Sequence, residues 1–341
     1  MRIVLASPLS PPDIGGPSYY MLGLKRALEE EGHTVEVVAY GHTERNLLPF
    51  VRHCWYFGRV FWAMRKTQLV IGLDTWSVGI PAVLASRLWC TPIFLRVGGD
   101  VLWEKYVERT QESVLLSQFY DFDPIFTRGE RFIFWLTKKV LRYADKVVFT
   151  TKWQKEIWSE PYDVRSQKVA VIGNVFTRPN TVRDIPKHIR FIWAGRRIFL
   201  KNVDIAKSAF RDAELVLPDQ IMSFELLPKM PQEELLEYIR GATAVVLPSL
   251  SEVSPNFILE SLGEGVPFIC TADLGIAEDV LGCGYLVDTR ARNALRDAFV
   301  GIAQSAINLQ FREKIAQFPQ ERTYRQVAQD FLALYADHNH L

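Results

Sequence analysis

Residues 244–270 read AVVLPSLSEVSPNFILESLGEGVPFIC. The aliphatic run Ala244–Leu247 predicts a strand, and a polar loop follows it. Ser254-Pro255 then predicts a helix start, with Ser at the N-cap and Pro at the first helical position. Helical spacing carries Pro255–Glu264, and Pro267–Cys270 predicts the next strand. Strand, helix and strand in so short a stretch form a βαβ unit, the element of a parallel sheet.

The same rhythm extends in both directions. Upstream stand strand Ile189–Ala194, helix Val203–Phe210, strand Met222–Leu226 and helix Gln232–Ile239, and from about Arg290 the remainder reads as helical. Toward the N-terminus, strands are predicted at Arg2–Ser7, Thr34–Tyr40, Leu69–Leu73, Pro92–Val97, Lys146–Thr151 and Val169–Ile172, with helical spacing between them. Gly173–Lys187, GNVFTRPNTVRDIPK, breaks the rhythm with Gly, Pro and polar residues and reads as a linker. The expected fold class is α/β: two Rossmann-like, doubly wound domains facing across a cleft. Residues 1–175 form the N-terminal domain, 176–320 the C-terminal one, and 321–341 a helix that packs back toward the first. Ligands of such sheets sit outside the carboxyl ends of the strands.

With 341 residues the chain is long enough for two cores, and 48% hydrophobic with 23% charged residues is an ordinary globular composition. A formal net charge of +1 provides no global attraction to nucleic acid, so no nucleic-acid partner is expected. Cys54, Cys90, Cys270 and Cys283 are scattered, without a CxxC pair, which speaks against zinc and disulfides and fits a cytoplasmic setting. MRIVLASPLSPP reads as a first strand rather than a signal peptide, and no apolar run is long enough to span a bilayer.

The 248–267 stretch also carries chemistry. A helix starting at Ser254-Pro255 would leave the N–H groups of Asn256, Phe257 and Ile258 pointing out, at the positive end of the dipole. That is a ready phosphate site. Glu252 before it and Glu260 within it suit sugar hydroxyls, because a carboxylate accepts two hydrogen bonds from a diol. The plainer alternative makes one glutamate a solvated loop residue and the other a surface helix residue. In FIWAGRRIFLKN, residues 191–202, a strand ends at Ala194 and a loop carries Arg196 and Lys201. One forked and one mobile cation suit a leaving diphosphate, although a solvated basic turn would read the same way.

Taken together, GRRIFLK, SEVSPNFILE, GEGVPFIC and GIAEDV resemble the retaining glycosyltransferases of family 4, which have the GT-B fold. That family's two glutamates with seven residues between them match Glu252 and Glu260, and its Arg and Lys five residues apart match Arg196 and Lys201. The resemblance implies that Glu252 contacts the transferred sugar and that Glu260 holds the ribose. It also implies that Arg196 and Lys201 bind the diphosphate, with backbone N–H groups near Asn256 and Phe257 assisting. Base contacts are expected from backbone around Leu227, Lys229 and Met230. The reaction so implied moves a sugar, with retention, from a nucleotide-diphosphate sugar to a glycan, lipid-linked or small-molecule acceptor, as in polysaccharide biosynthesis. No cofactor and no metal are expected, the donor being a substrate.

In the first half, SPPDIGGPSYY places Gly15 and Gly16 before a helix, which allows close backbone approach to a ligand or simply a tight turn. The resemblance favours a glycine loop beside the donor. Where many relatives carry a His after a strand, this chain reads Val97-Gly98-Gly99-Asp100. Asp100 could act at the reaction centre, with Trp103 and Glu104 as a wall, or it could cap the helix starting at Val101. Residues 46–66 interleave Trp55, Tyr56, Phe57, Phe61 and Trp62 with Arg52, Arg59, Arg65 and Lys66, just after Arg45. That suits contact with an anionic membrane, such as the inner face of a cell membrane, or an amphipathic core helix with a basic face. Asp121-Phe122-Asp123 mimics a metal-binding DxD, but it sits in a loop before Pro124 and reads as coincidence. Alternatives from other classes stay open: an epimerase or a pyridoxal-phosphate phosphorylase of the same fold, or a weakly catalytic sugar-nucleotide-binding protein.

Overall fold

The computed structural model describes residues 1–10, 15–41, 47–177, 179, 182, 184–318 and 321–339. Arg45 and Asn46 at the head of the aromatic and basic stretch lie outside the described residues, as do parts of SPPDIGGPSYY and of the linker. The chain forms two compact units. One comprises Met1–Leu102, Ile125–Asn174 and Thr323–Leu341; the other comprises Trp103–Pro124 and Val175–Arg322. Residues 103–124 therefore belong to the second unit although they precede the linker in the chain.

The first unit has a parallel sheet built from β1 (Arg2–Ser7), β2 (Thr34–Ala39), β3 (Leu69–Gly72), β4 (Ile93–Arg96), β5 (Lys146–Phe149) and β6 (Val169–Val171). Its order is β2-β1-β3-β4-β5-β6. Helix α1 (Gly16–Glu30) packs against the C-terminal helix Tyr324–Asn339. Helix α2 (Pro49–Ala63) packs against α3 (Gly79–Trp89), and α3 packs against Arg128–Tyr143. Right-handed crossovers put these two groups of helices on opposite faces, because the chain reverses direction after β2.

Helix α4 (Val101–Thr110) leads into the second unit, where the short α5 (Leu116–Phe119) follows; Arg128–Tyr143 is α6 and Lys152–Ser159 is α7. The second sheet contains β7 (Ile189–Ala194), β8 (Met222–Leu227), β9 (Ala244–Leu247), β10 (Phe268–Thr271) and β11 (Gly284–Val287), in the order β11-β10-β9-β7-β8. All its pairs are parallel. The helices are α8 (Val203–Val216), α9 (Gln232–Arg240), α10 (Asn256–Gly263), α11 (Arg292–Ala303) and α12 (Ser305–Ala316), with Tyr324–Asn339 as α13. Strand residues alternate between two cores, as a period of two requires. Phe191, Val246 and Ile269 pack with Ala209, Phe210 and Phe299 of α8 and α11. Ile192, Val245 and Phe268 pack with Ile239, Ile258 and Leu262 of α9 and α10.

Both units are thus doubly wound parallel sheets, the expected fold class. β11 was not among the expected strands. A Cβ at its first residue, Gly284, would lie 2.4 Å from the Phe268 carbonyl oxygen on β10, so close strand approach imposes a residue that reads as a breaker.

Candidate functional site

In the second sheet the chain leaves β7 toward β8 on one side and continues from β9 through β11 on the other. The carboxyl ends of β7 and β9 therefore flank a topological switch point, where doubly wound sheets bind ligands. The loop after β7 carries Arg196 and Lys201, and the loop after β9 carries Ser249 and Glu252. The two loops are joined: Leu250 N–H donates to Leu200 O at 2.9 Å. Lys201 Nζ stands 2.5 Å from Glu252 Oε1, and Ser249 Oγ donates to the same oxygen at 2.6 Å. These side chains are 18% (Lys201) and 14% (Glu252) exposed, so water screens the pair far less than it screens a surface ion pair.

A third loop, after β10, fixes the backbone of Glu252. Its N–H donates to Asp273 O at 3.0 Å, and its carbonyl accepts from Gly275 N–H at 2.9 Å. Thr271 Oγ1 donates to Leu250 O at 3.0 Å. Glu252 thus sits in a short parallel bridge with Leu274. The GIAEDV stretch singled out in sequence begins at this clamp.

Helix α10 begins one residue later than the sequence suggests. Pro255 is the N-cap and Ser254 precedes it. Of the three N–H groups expected to point outward, that of Ile258 bonds to Pro255 O at 3.1 Å, which takes Ile258 out of the expected anion site. Asn256 and Phe257 are the first two residues of the helix. The Phe257 side chain is in the core. Glu260 lies one turn further on. Burial pushes its carboxyl up to about 7 from an ordinary 4.5, while the hydrogen bond from Gln232 Nε2, 2.7 Å long, acts in the opposite direction.

Arg196 pairs with Glu104 on α4. Its Nη2 is 3.3 Å from Glu104 Oε2, and its side chain is 69% exposed. Leu227 and Met230 are buried in the core and Lys229 is exposed, so the two apolar side chains there are not open to a base. In the first unit, Gly15 precedes α1 at the β1/β3 switch point, and its carbonyl accepts from Ser18 N–H at 3.0 Å. Gly16 is the first residue of that helix. Asp100 is buried and accepts from Leu102 N–H at 3.0 Å, a helix-start contact. Trp103 is buried, with its Nε1 donating to Val114 O at 2.9 Å. Asp121 and Asp123 are exposed, and among the described residues no group of three or more His, Cys, Asp or Glu is placed to hold a metal ion.

Ser249, Asp273 and Gln232 were not singled out in sequence. Their only signal there is position just beyond a strand end or at a helix start. Asp74, after β3, was also missed. Its carboxylate accepts from Trp76 N–H at 2.9 Å, Val78 N–H at 3.0 Å and the Ser77 hydroxyl, which fixes the turn into α3.

The family described as "Glycosyl transferase 4-like domain" matches residues 15–175, and "Glycosyl transferases group 1" matches residues 168–305. No curated protein matches the chain significantly. Among solved structures, a sucrose-phosphate synthase from Thermosynechococcus elongatus is similar with a TM-score of 0.70 at 17% identity, covering 98% of both chains. A glycosyltransferase from Rickettsia africae gives a TM-score of 0.65 at 12% identity, covering 99% of this chain and 98% of the other. WaaG, a glycosyltransferase involved in lipopolysaccharide biosynthesis, gives 0.65 at 12% identity, covering 98% and 99%. At these identities the structures speak for the fold, and the two family matches speak for the lineage. Joined to a parallel-sheet pair with its polar cluster at a switch point, they lead to one assignment: the chain belongs to the group 1, family-4-like glycosyltransferases of the GT-B fold.

Proposed function

We propose that this glycosyltransferase takes its sugar from a nucleotide-diphosphate sugar bound at the β7/β9 switch point. The observation that carries the reading is the Lys201–Glu252–Ser249 cluster, held by three loops that are hydrogen-bonded to one another at the switch point. Lys201 supplies positive charge to the diphosphate, with Arg196 as a second, mobile cation and the first-turn N–H groups of Asn256 and Phe257 as donors. Glu252 meets the hydroxyls of the transferred sugar and Glu260 those of the ribose. Backbone at 227–230 meets the base. As the bond to the sugar breaks, these charges stabilise the departing diphosphate without a metal, and retention at the anomeric carbon is what the family likeness supports. The first unit is assigned to the acceptor, while Gly15 and Gly16 are assigned to the donor and Asp100 to catalysis.

A thermal-shift panel of nucleoside diphosphates and their sugars tests this. A ligand that binds only the folded chain stabilises it by about 2.7 kcal/mol at 100 times its Kd. At least one diphosphate should raise the midpoint in a concentration-dependent way, while its monophosphate should do so less. A flat panel would overturn the reading.

The first unit supports an acceptor at an anionic membrane surface. Helices α2, α3 and α6 lie side by side on one face of its sheet. Together they carry eight Lys or Arg and one acid, Glu130, which is buried in a capping box with Thr127; the whole chain has a net charge of only +1. Trp55, Trp62, Leu84, Leu88, Phe132 and Trp135 are exposed on the same helices. Basic charge beside exposed aromatics suits an interface of anionic headgroups. Among the described residues no helix is long and apolar enough to cross a membrane. The chain should sediment with vesicles containing phosphatidylglycerol, and a Trp55→Ser, Trp62→Ser double variant should bind about 10-fold less, with binding falling as salt rises. Equal binding to neutral phosphatidylcholine vesicles would contradict it.

A further inference from the structure

Residues 103–124 contribute to the second unit in a specific place: they grip the loops that carry the cluster. Glu104 and Glu108 lie one turn apart on α4 and face the same way. Glu108 accepts two backbone hydrogen bonds, from Leu200 N–H at 2.8 Å and from Phe199 N–H at 3.2 Å, one on each carboxylate oxygen. Those N–H groups open the three-residue 3-10 turn Phe199–Lys201, whose first donors have no partner within the turn. A carboxylate is the strongest acceptor a side chain can offer them.

The turn is held on its far side as well, by Leu250 N–H on Leu200 O at 2.9 Å. Lys201 is its last residue, and Asn202 leaves it in the left-handed region, with φ 52°. With both sides fixed, the direction of the Lys201 side chain follows. The neighbouring stretch holds the other loops: Leu116 N–H donates to Ser251 Oγ at 2.8 Å, and Ser251 Oγ donates to Asp273 Oδ2 at 2.5 Å. Glu104 differs from Glu108, since its partner Arg196 is mostly exposed and such a pair fixes little.

We propose that Glu108 is a positioning residue. It sets the Phe199–Lys201 turn so that the Lys201 ammonium is held at Glu252 and at the donor diphosphate. The proposal rests on the donor-site reading above.

The test is a set of titrations with uridine, adenosine and guanosine di- and monophosphates. The readout is the ratio of monophosphate to diphosphate Kd, which reports the contact to the second phosphate. A purely structural role would weaken both ligands together and leave the ratio alone. Glu108→Ala should lower the ratio by about 10-fold or more, within the roughly 100-fold that a 1 Å misplacement can cost. Glu108→Gln, which keeps the size and one acceptor oxygen, should fall between wild type and Ala and provides the reading if Glu108→Ala does not fold. Lys201→Ala is run beside them. If it lowers the ratio while both Glu108 variants leave it unchanged, the positioning role is overturned and the donor site stands. If Lys201→Ala also leaves the ratio unchanged, or the wild type binds none of the nucleotides, the donor-site reading falls and this proposal with it.

Discussion

Lys201→Ala should lower turnover at saturating donor at least about 100-fold, on the scale of removing one preorganised donor from a developing anion. Three features make the expected loss large. The ammonium is mostly buried, so its field is little screened, and it is already oriented by Glu252 at 2.5 Å. It therefore needs no reorganisation as charge builds on the leaving phosphate. Its turn is bonded on both sides, whereas Arg196 on the same loop is mostly exposed and paired with Glu104, so it offsets little of the lost charge. Glu252→Ala should cause a comparable loss by removing the contact to the sugar and the partner that orients Lys201. Steady-state transfer from a labelled donor measures both, with midpoint temperatures recorded to separate catalysis from folding. Near-native rates in both variants would mean that the donor site has been misplaced.

The second large effect concerns Glu260. Burial raises its folded-state value to about 7 against an ordinary 4.5, so between those values the folded chain holds a proton that the unfolded chain has released. The stability contributed by this protonation is complete below about 4.5 and is lost as pH rises through about 7. At pH 8 the folded chain keeps a buried carboxylate at a cost of about 3 kcal/mol. Glu260→Gln removes that cost and retains an acceptor for Gln232. Its midpoint should exceed that of wild type by several degrees at pH 8, at about 2–4 °C per kcal/mol, and match it at low pH.

Function should move the other way. A neutral amide accepts hydroxyl hydrogen bonds less strongly than a carboxylate, so the donor KM of Glu260→Gln should rise about 10-fold. In wild type, donor affinity should weaken as pH falls below about 7 and the carboxyl takes up its proton. The variant should lose that dependence. Calorimetric scans at pH 5 and pH 8, with donor KM measured across the same range, check the pair. A variant less stable than wild type at pH 8, or one that keeps the wild-type pH dependence, would contradict the account. A carboxylate kept buried at a stability cost for the sake of a ligand is a familiar trade between stability and function.

The sequence carried the skeleton of the fold because buried parallel strands announce themselves as aliphatic runs, and β1, β7 and β9 fall where those runs stand. It lost β11 because that strand begins with a glycine required by the closeness of Phe268. It misplaced the start of α10 by one residue because Ser-Pro fits two capping registers equally well, and only the bonds to Pro255 O choose between them. That Lys201 and Glu252 serve one site was implied by the family resemblance, whereas their direct ion pair, like the strand order that makes β7 and β9 neighbours, has no signal in the sequence. The hold of Glu108 on Phe199 and Leu200 was not readable either. It joins residues about ninety positions apart, from a helix that precedes the linker, and no periodicity encodes such a contact. The same holds for Arg196, whose guanidinium was expected beside Lys201 and is bound by Glu104.

The most direct test of the central claim is a crystal structure of the chain with a nucleoside diphosphate bound. The account predicts a phosphate oxygen about 2.7–2.9 Å from Lys201 Nζ, with ribose hydroxyls on Glu260 and the phosphates at the first turn of α10. A nucleotide bound elsewhere, with Lys201 still paired to Glu252 alone, would contradict it.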